Sequence, residues 1–245
     1  MRTHERMHSK ISYFKILNQP DDETCGPTSL HAVYNYYHDF INLQQVIDEV
    51  TFLEEGGTLG NLLGIHALKR GYKAKMHSYN LNVFDPVWST LTHDELIEKL
   101  KAQLKYKRGK KFENATHSYI EFLTRGGEIA FEDLTVDLIR KYLDRRRPIL
   151  TGLSATYLYD CKREYANDEG RSVYDDLKGY PMGHFVVLTA IDENGIVSVS
   201  DPYQENPLSG ENEYKVDVHR LINSILLGIV TYDANLLILE PTDKE

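Results

Sequence analysis

Chemistry in this sequence gathers first around Cys25, in the stretch NQPDDETCGPTSLHAVYNYY at residues 18 to 37. The cysteine follows three acids and precedes Gly26-Pro27, at a polar boundary rather than inside an apolar run. A cysteine attacks as its thiolate, and a free thiol of pKa about 8.5 is mostly protonated at neutral pH. A helix N-terminus and a neighbouring imidazolium both lower that value. The sequence supplies the first locally. Thr24 or Cys25 can serve as N-cap, Pro27 suits a first turn, and Gly26 is expected to leave the backbone beside the sulfur unobstructed. Asp21, Asp22 and Glu23 oppose a thiolate and must face solvent or substrate.

The second device needs one of ten histidines. His31 and His38 lie on the cysteine's own helix and cannot easily fold back. His66, His77, His93, His117 and His219 carry no local signature and read as core or surface residues. His184 follows Met182-Gly183 and opens the apolar strand HFVVLTAID, which a turn joins to a strand ending at Asp201. A Glu193-Asn194 loop pairs Asp192 with Gly195 and sets His184 opposite Tyr203. Asp201 is then the diagonal neighbour on the same face, at about 7–8 Å between backbones. There its carboxylate could fix the tautomer that presents the other ring nitrogen to the sulfur. An odd loop length would turn Asp201 to the opposite face; an Asn194-Gly195 loop would keep parity and lengthen the separation. Acyl transfer also needs donors for an oxyanion. Gln19, six residues before Cys25, is one candidate, and the Cys25 N–H is another.

Other elements must position these residues. Leu30, Val33, Tyr34 and Tyr37 form one apolar helical face after Cys25. LQQVIDEV, TLGNLLGIHALKRG, HDELIEKLKAQLKYKR, ENATHSYIEFLTR and TVDLIRKYLDRRR read as further helices, and YKAKMHSY as a strand. Beyond Pro148, PILTGLS, HFVVLTAID, IVSVSD and NLLILE read as strands and DVHRLINSILLG as a helix. Helices first and a mostly antiparallel sheet later predict an α+β fold. The expectation is one domain over residues 1–245 with a helical insertion at about 80–145 that could cap the site. The polar stretch at 161–183 reads as a long functional loop.

The chain has 245 residues, 41% of them hydrophobic, and a formal charge of −9. That charge argues against a nucleic-acid partner, and the basic run Lys105 to Lys111 reads as a solvated helix end. No run reaches the roughly 18 apolar residues of a membrane span, and no signal peptide is read, so neither membrane nor secretion is expected. Two cysteines are too few for a disulfide framework, which suits a cytoplasmic protein with reduced thiols; Cys161 reads as structural. HERMH, His4 to His8, matches H-E-x-x-H without an apolar helix or a third ligand, and no metal or cofactor is expected. GLSAT lacks the closing glycine of a nucleophile elbow, so Ser154 reads as a strand end. GGTLGNLLG lacks the Gly-Lys-Ser/Thr of a phosphate loop and reads as close helix packing.

Gln19, CGPTSLHAVYNYY from Cys25 and GHFVVLTAIDENGIVSVSDPY from Gly183 together resemble the C39-like branch of the papain-like cysteine peptidases. The resemblance implies a papain-like fold with Cys25 as nucleophile, His184 as base, Asp201 as orienting carboxylate and Gln19 as oxyanion donor. It implies a cysteine hydrolase that cleaves an amide or peptide bond through a thioester, acting on a peptide or small amide substrate. Bacteriocin-processing members are fused to a transporter, and no membrane span or phosphate loop is read here. Two alternatives stay open. The thioester could pass to an amine, as in the related phytochelatin-synthase branch, or the fold could be an inactivated binding module.

Overall fold

The computed structural model describes residues 14–54, 56–167 and 172–242. In chain order, the first half holds α1 (Cys25–Tyr36), α2 (Leu43–Glu49), α3 (Gly60–Lys69), β1 (Tyr72–Ser78), α4 (His93–Gln103), α5 (Lys110–Thr124), β2 (Glu128–Ala130) and α6 (Val136–Leu143). The second holds β3 (Ile149–Ser154), α7 (Ala155–Tyr159), β4 (Glu164–Ala166), β5 (Ser172–Tyr174), β6 (Gly183–Ile191), β7 (Ile196–Ser200), β8 (Glu213–Asp217), α8 (Val218–Leu227) and β9 (Asn235–Pro241).

The architecture is α+β, with seven strands in the order β2-β1-β9-β3-β6-β7-β8. Every neighbouring pair is antiparallel except β1 with β2. The sheet is not confined to the second half, because β1 and β2 extend it from the helical half. Nor are its helices on one side. One core joins Leu30, Val33, Leu63, Leu100 and Phe122 of α1 and α3–α5 to Leu150, Val187 and Leu237 of the sheet. A second joins Ile139, Leu158, Leu221 and Ile225 of α6–α8 to Ile149, Val186, Leu188 and Leu236. Covering both faces explains why ILTGLS and NLLIL are unbroken buried runs rather than alternating ones.

α1 is the central helix, buried at every residue from Gly26 to Tyr34, as expected of a helix with partners on all sides. Ser29 Oγ donates to the Phe185 carbonyl at 3.1 Å and pins α1 to β6. Gly26 does not leave open space beside the sulfur, as its type suggested. A Cβ there would lie 2.6 Å from Thr58 Cγ2 and 3.3 Å from Phe185 Cδ2, so glycine lets the first turn press against its neighbours. Gly64 does the same between α3 and α5, where a Cβ would meet Phe122 Cε2 at 2.6 Å, which is the helix packing read from GGTLGNLLG. α5 packs on α3 and on α4. The 80–145 segment thus thickens the first helical layer with α4 and α5, adds β2 to an edge and sends α6 to the second core. The 161–183 stretch is not simply a loop, for it carries the antiparallel pair β4–β5.

Asp233, at the entry to β9, accepts the Gly60 N–H at the start of α3 at 3.1 Å. Burial pushes its pKa up to about 7, against the smaller pull of Gly60 and Asn235. A folded pKa above the unfolded value means stability fully present below about pH 4 and lost as pH rises through 7. At about 1.4 kcal/mol per unit the loss is of order 4 kcal/mol. Asp233→Asn is therefore expected to raise the melting temperature above pH 7.5 and to change it little near pH 4. An equal change at both values would contradict this burial effect.

Candidate active site

Strand alternation sends Phe185 and Val187 into the core beneath α1, and His184 towards the side of Val186 and Leu188. The imidazole thus lies at the seam between the two cores, where β6 begins and α1 starts. His184 pairs with Leu153 of β3 at this end of the sheet.

The turn that should bring Asp201 beside it is not the one expected. Asp192 N–H donates to the Ile196 carbonyl at 2.9 Å, closing a loop over Glu193, Asn194 and Gly195, with Gly195 at φ +80°. Three residues with glycine in the left-handed position is a common hairpin solution. Alone, this odd loop would place Asp201 on the wrong face. Between Leu188 and Ala190 the register then shifts, leaving Thr189 as an extra residue. Past that bulge Leu188 pairs with Val199 and Val187 with Ser200, so parity is restored. His184 Nε2 and Asp201 Oδ1 meet at 2.8 Å.

Asp201 is fully buried yet has four donors. Oδ1 accepts His184 Nε2–H and the Tyr203 N–H at 2.8 Å. Oδ2 accepts the hydroxyls of Tyr159 at 2.7 Å and Tyr214 at 2.6 Å. Burial pushes its carboxyl pKa up, but His184 and the two phenols outweigh that and hold it below the ordinary value. For His184, burial disfavours the imidazolium; the charges of Asp201 and Cys25 and the Asp201 hydrogen bond prevail and raise its pKa well above the ordinary imidazole value.

Cys25 is half-buried and not in a disulfide. Its sulfur acts on the charge of the His184 ring and helps to raise the ring's pKa, so the two side chains are neighbours. Asp201 occupies Nε2, which leaves Nδ1 for the sulfur. Thr24 is the N-cap residue of α1, but no side chain caps the helix. The Thr24 hydroxyl instead donates to the Asp21 carbonyl at 3.2 Å. First-turn N–H groups have no intrahelical acceptor, so the Cys25 and Gly26 amides stand beside the sulfur without a side-chain cap. Asp21, Asp22 and Glu23 are exposed, as a thiolate at Cys25 would require.

Gln19 arrives with the loop that precedes α1. Its N–H donates to the Pro202 carbonyl at 2.9 Å, and Asn18 Nδ2 donates to Gln204 Oε1 at 2.6 Å. The loop is thereby laced to the chain that carries Asp201. Gln19 Nε2 donates to the Asp21 carbonyl at 2.8 Å, so one of its two amide protons is left for a ligand. Cys25, His184 and Asp201 are in direct succession, whereas Gln19 is tied to the same turn but faces its own loop.

Sequence reasoning missed Tyr159 and Tyr214. The alternation of Tyr214, Val216 and Val218 was a signal for β8, where Tyr214 pairs with Val199. Tyr159 stands at the end of a five-residue helix and left no signal. The remaining buried histidines have other partners: His31 meets the Ile41 carbonyl, His66 meets Tyr34 and Glu49, and His77 meets Tyr142. Cys161 lies beside the Thr156 carbonyl at 3.9 Å, and burial raises its thiol pKa. Ser154 ends β3 and caps α7. HERMH lies outside the described residues.

The family model described as "Peptidase_C39 like family" matches residues 11–224. Among solved structures, the chain is similar to a putative C39-like peptidase from Bacillus anthracis at 15% identity, with 97% of this chain and 100% of that one covered and a TM-score of 0.46. It is similar also to a double glycine motif protease from an AMS/PCAT transporter in complex with its leader peptide, at 15% identity, 97% and 96% coverage and a TM-score of 0.44. A third is the peptidase domain of Streptococcus ComA, a bifunctional ABC transporter in a quorum sensing pathway, at 12% identity, 94% and 100% coverage and a TM-score of 0.44. No curated protein matched. Among the described residues no helix is long and apolar enough to cross a membrane.

Proposed function

The chain belongs to the Peptidase_C39 like family, and on that premise we propose that it is a cysteine peptidase that cleaves an amide bond of a peptide through a thioester on Cys25. The observation that carries the reading is the 2.8 Å hydrogen bond from His184 Nε2 to Asp201 Oδ1, with Cys25 near enough to act on the charge of the same ring. His184 Nδ1 takes the thiol proton, and the sulfur adds to the carbonyl carbon. The oxyanion meets the Cys25 N–H and the free amide proton of Gln19. The imidazolium gives its proton to the leaving amine, and the tetrahedral species collapses to a thioester. The same ring then takes a proton from water, whose oxygen displaces the sulfur and releases the acid. Asp201 accepts the Nε2–H throughout, holding the tautomer that keeps Nδ1 free.

The rim favours a basic side chain near the scissile bond. The exposed carboxylates of Asp21, Asp22 and Glu23 directly precede Cys25. A peptide mixture incubated with the protein and read by mass spectrometry tests the reading. New termini should appear, enriched in neighbouring lysine or arginine, and none should appear with Cys25→Ser. Cleavage that survives Cys25→Ser would overturn the proposal. Products that gain an added amine in place of water would assign the thioester to transfer instead.

A further inference from the structure

The acid of this site carries more donors than orientation of one imidazole requires. Oδ1 alone would hold the ring. The second oxygen, Oδ2, is given over to two phenols from different elements, Tyr159 at the end of α7 and Tyr214 in β8. Resting on the proposed Cys25–His184–Asp201 reading, we propose that Tyr159 and Tyr214 are positioning residues that share Asp201 Oδ2 and thereby limit the carboxylate's pull on the His184 ring.

A phenol that donates to a carboxylate oxygen draws negative charge towards itself and away from the opposite oxygen. With two such donors on Oδ2, the anion that faces the imidazolium is weaker than a bare aspartate. Both phenols stay donors, because burial and the neighbouring carboxylate push their pKa values well above 10. The titratable groups around the ring are few. Cys25 faces it from α1, Asp201 from the end of β7, and Tyr159 from α7, with ring centroids 6.0 Å apart. Tyr214 reaches Asp201 from β8. Tyr203 contributes its backbone N–H.

The arrangement serves the chemistry. His184 must hold a proton long enough to stabilise the thiolate, then surrender it to the leaving amine. An unshared buried carboxylate would bind the imidazolium so tightly that it would be a poor acid. The phenols relax that grip without giving up the orienting hydrogen bond. They also fix the carboxylate plane, since its two oxygens are bound from different elements.

The test is the pH dependence of Cys25 alkylation by iodoacetamide, with the Cys25 peptide quantified by mass spectrometry so that Cys161 does not contribute. It needs no substrate. Wild type, Tyr159→Phe, Tyr214→Phe and His184→Ala are compared. A paired thiolate gives two inflections, one where the pair forms and one where the imidazolium deprotonates. Removing one phenol strengthens the carboxylate's hold on the imidazolium, so the upper inflection, where the ring loses its proton, should rise. A charge-assisted hydrogen bond supports a rise of about half to one unit. A loosened structure would do the reverse and lower it. Tyr→Phe profiles whose upper inflection coincides with wild type, or falls, overturn the proposal while leaving the pairing intact. A His184→Ala profile identical to wild type overturns the pairing itself, and this proposal with it. Because Tyr159 and Tyr214 lie on separate elements, either variant alone decides if the other fails to fold.

Discussion

Replacing His184 with alanine is expected to lower peptide hydrolysis by roughly a thousandfold or more, the scale seen when a nucleophile loses its base. The loss has two sources. Without the ring, Cys25 returns towards the behaviour of a free thiol, of which about 0.3% is ionised at pH 6. The leaving amine also loses its proton donor, so collapse of the tetrahedral species is slowed. The two can be separated. Alkylation at pH 6 reads only the first, and there the expected drop is roughly tenfold, because a thiol that ionises more readily is also intrinsically less nucleophilic. Hydrolysis should therefore fall much further than alkylation. Equal falls in both would mean that the ring ionises the sulfur and takes no part in expelling the amine.

Asp201→Asn is expected to cost both activity and stability. The amide has the right volume but the wrong donors. If its oxygen faces His184, its NH₂ confronts two phenols already placed to donate. If it turns over, the ring must reverse its tautomer and present an N–H to the sulfur. Loss of the correct tautomer is worth up to about 10⁴-fold in rate, and breaking a buried ion pair costs about 3–5 kcal/mol. The pH dependence carries a sign. Asp201 titrates lower in the folded protein, so its contribution is present above about pH 4 and lost as pH falls below that. His184 titrates higher, so its contribution is full below about pH 6.5 and declines as pH rises towards its folded value. Denaturant unfolding of the two proteins should thus differ most between about pH 4 and 6.5, and the gap should narrow at alkaline pH, where the two phenols alone still favour the carboxylate. A gap that is constant with pH would place the loss in packing rather than in the ion pair.

Cys25 and His184 were legible because each stands in a local context that its type does not need for packing. Cys25 precedes a helix buried on all sides, and His184 heads a strand whose next residues fill two cores. The proximity of Asp201 was legible only in outcome. A two-residue loop and an unbroken ladder give the same facing as a three-residue loop followed by a bulge at Thr189, because two shifts of one cancel. Strand alternation has a period of two and cannot tell these routes apart. Gln19 was visible as a residue type, but its pairing with Asp21 and Pro202 depends on a loop conformation without periodic signal. Tyr214 was hidden for a related reason: an irregular connection from Asp201 to Glu213 sets which β8 residue shares its face. The second helical layer was masked as well. The α6 and α8 patterns announce an apolar face but not which side of the sheet it meets.

The most direct measurement is the ultraviolet absorbance of the thiolate against pH, taken as the difference between the wild-type protein and Cys25→Ser. The account predicts that the signal is already present at pH 6 and is lost there in His184→Ala, which should regain it only near the pKa of a free thiol, about 8.5. A single rise near that value in both proteins would mean that the sulfur and the ring do not share a charge, and would contradict the account.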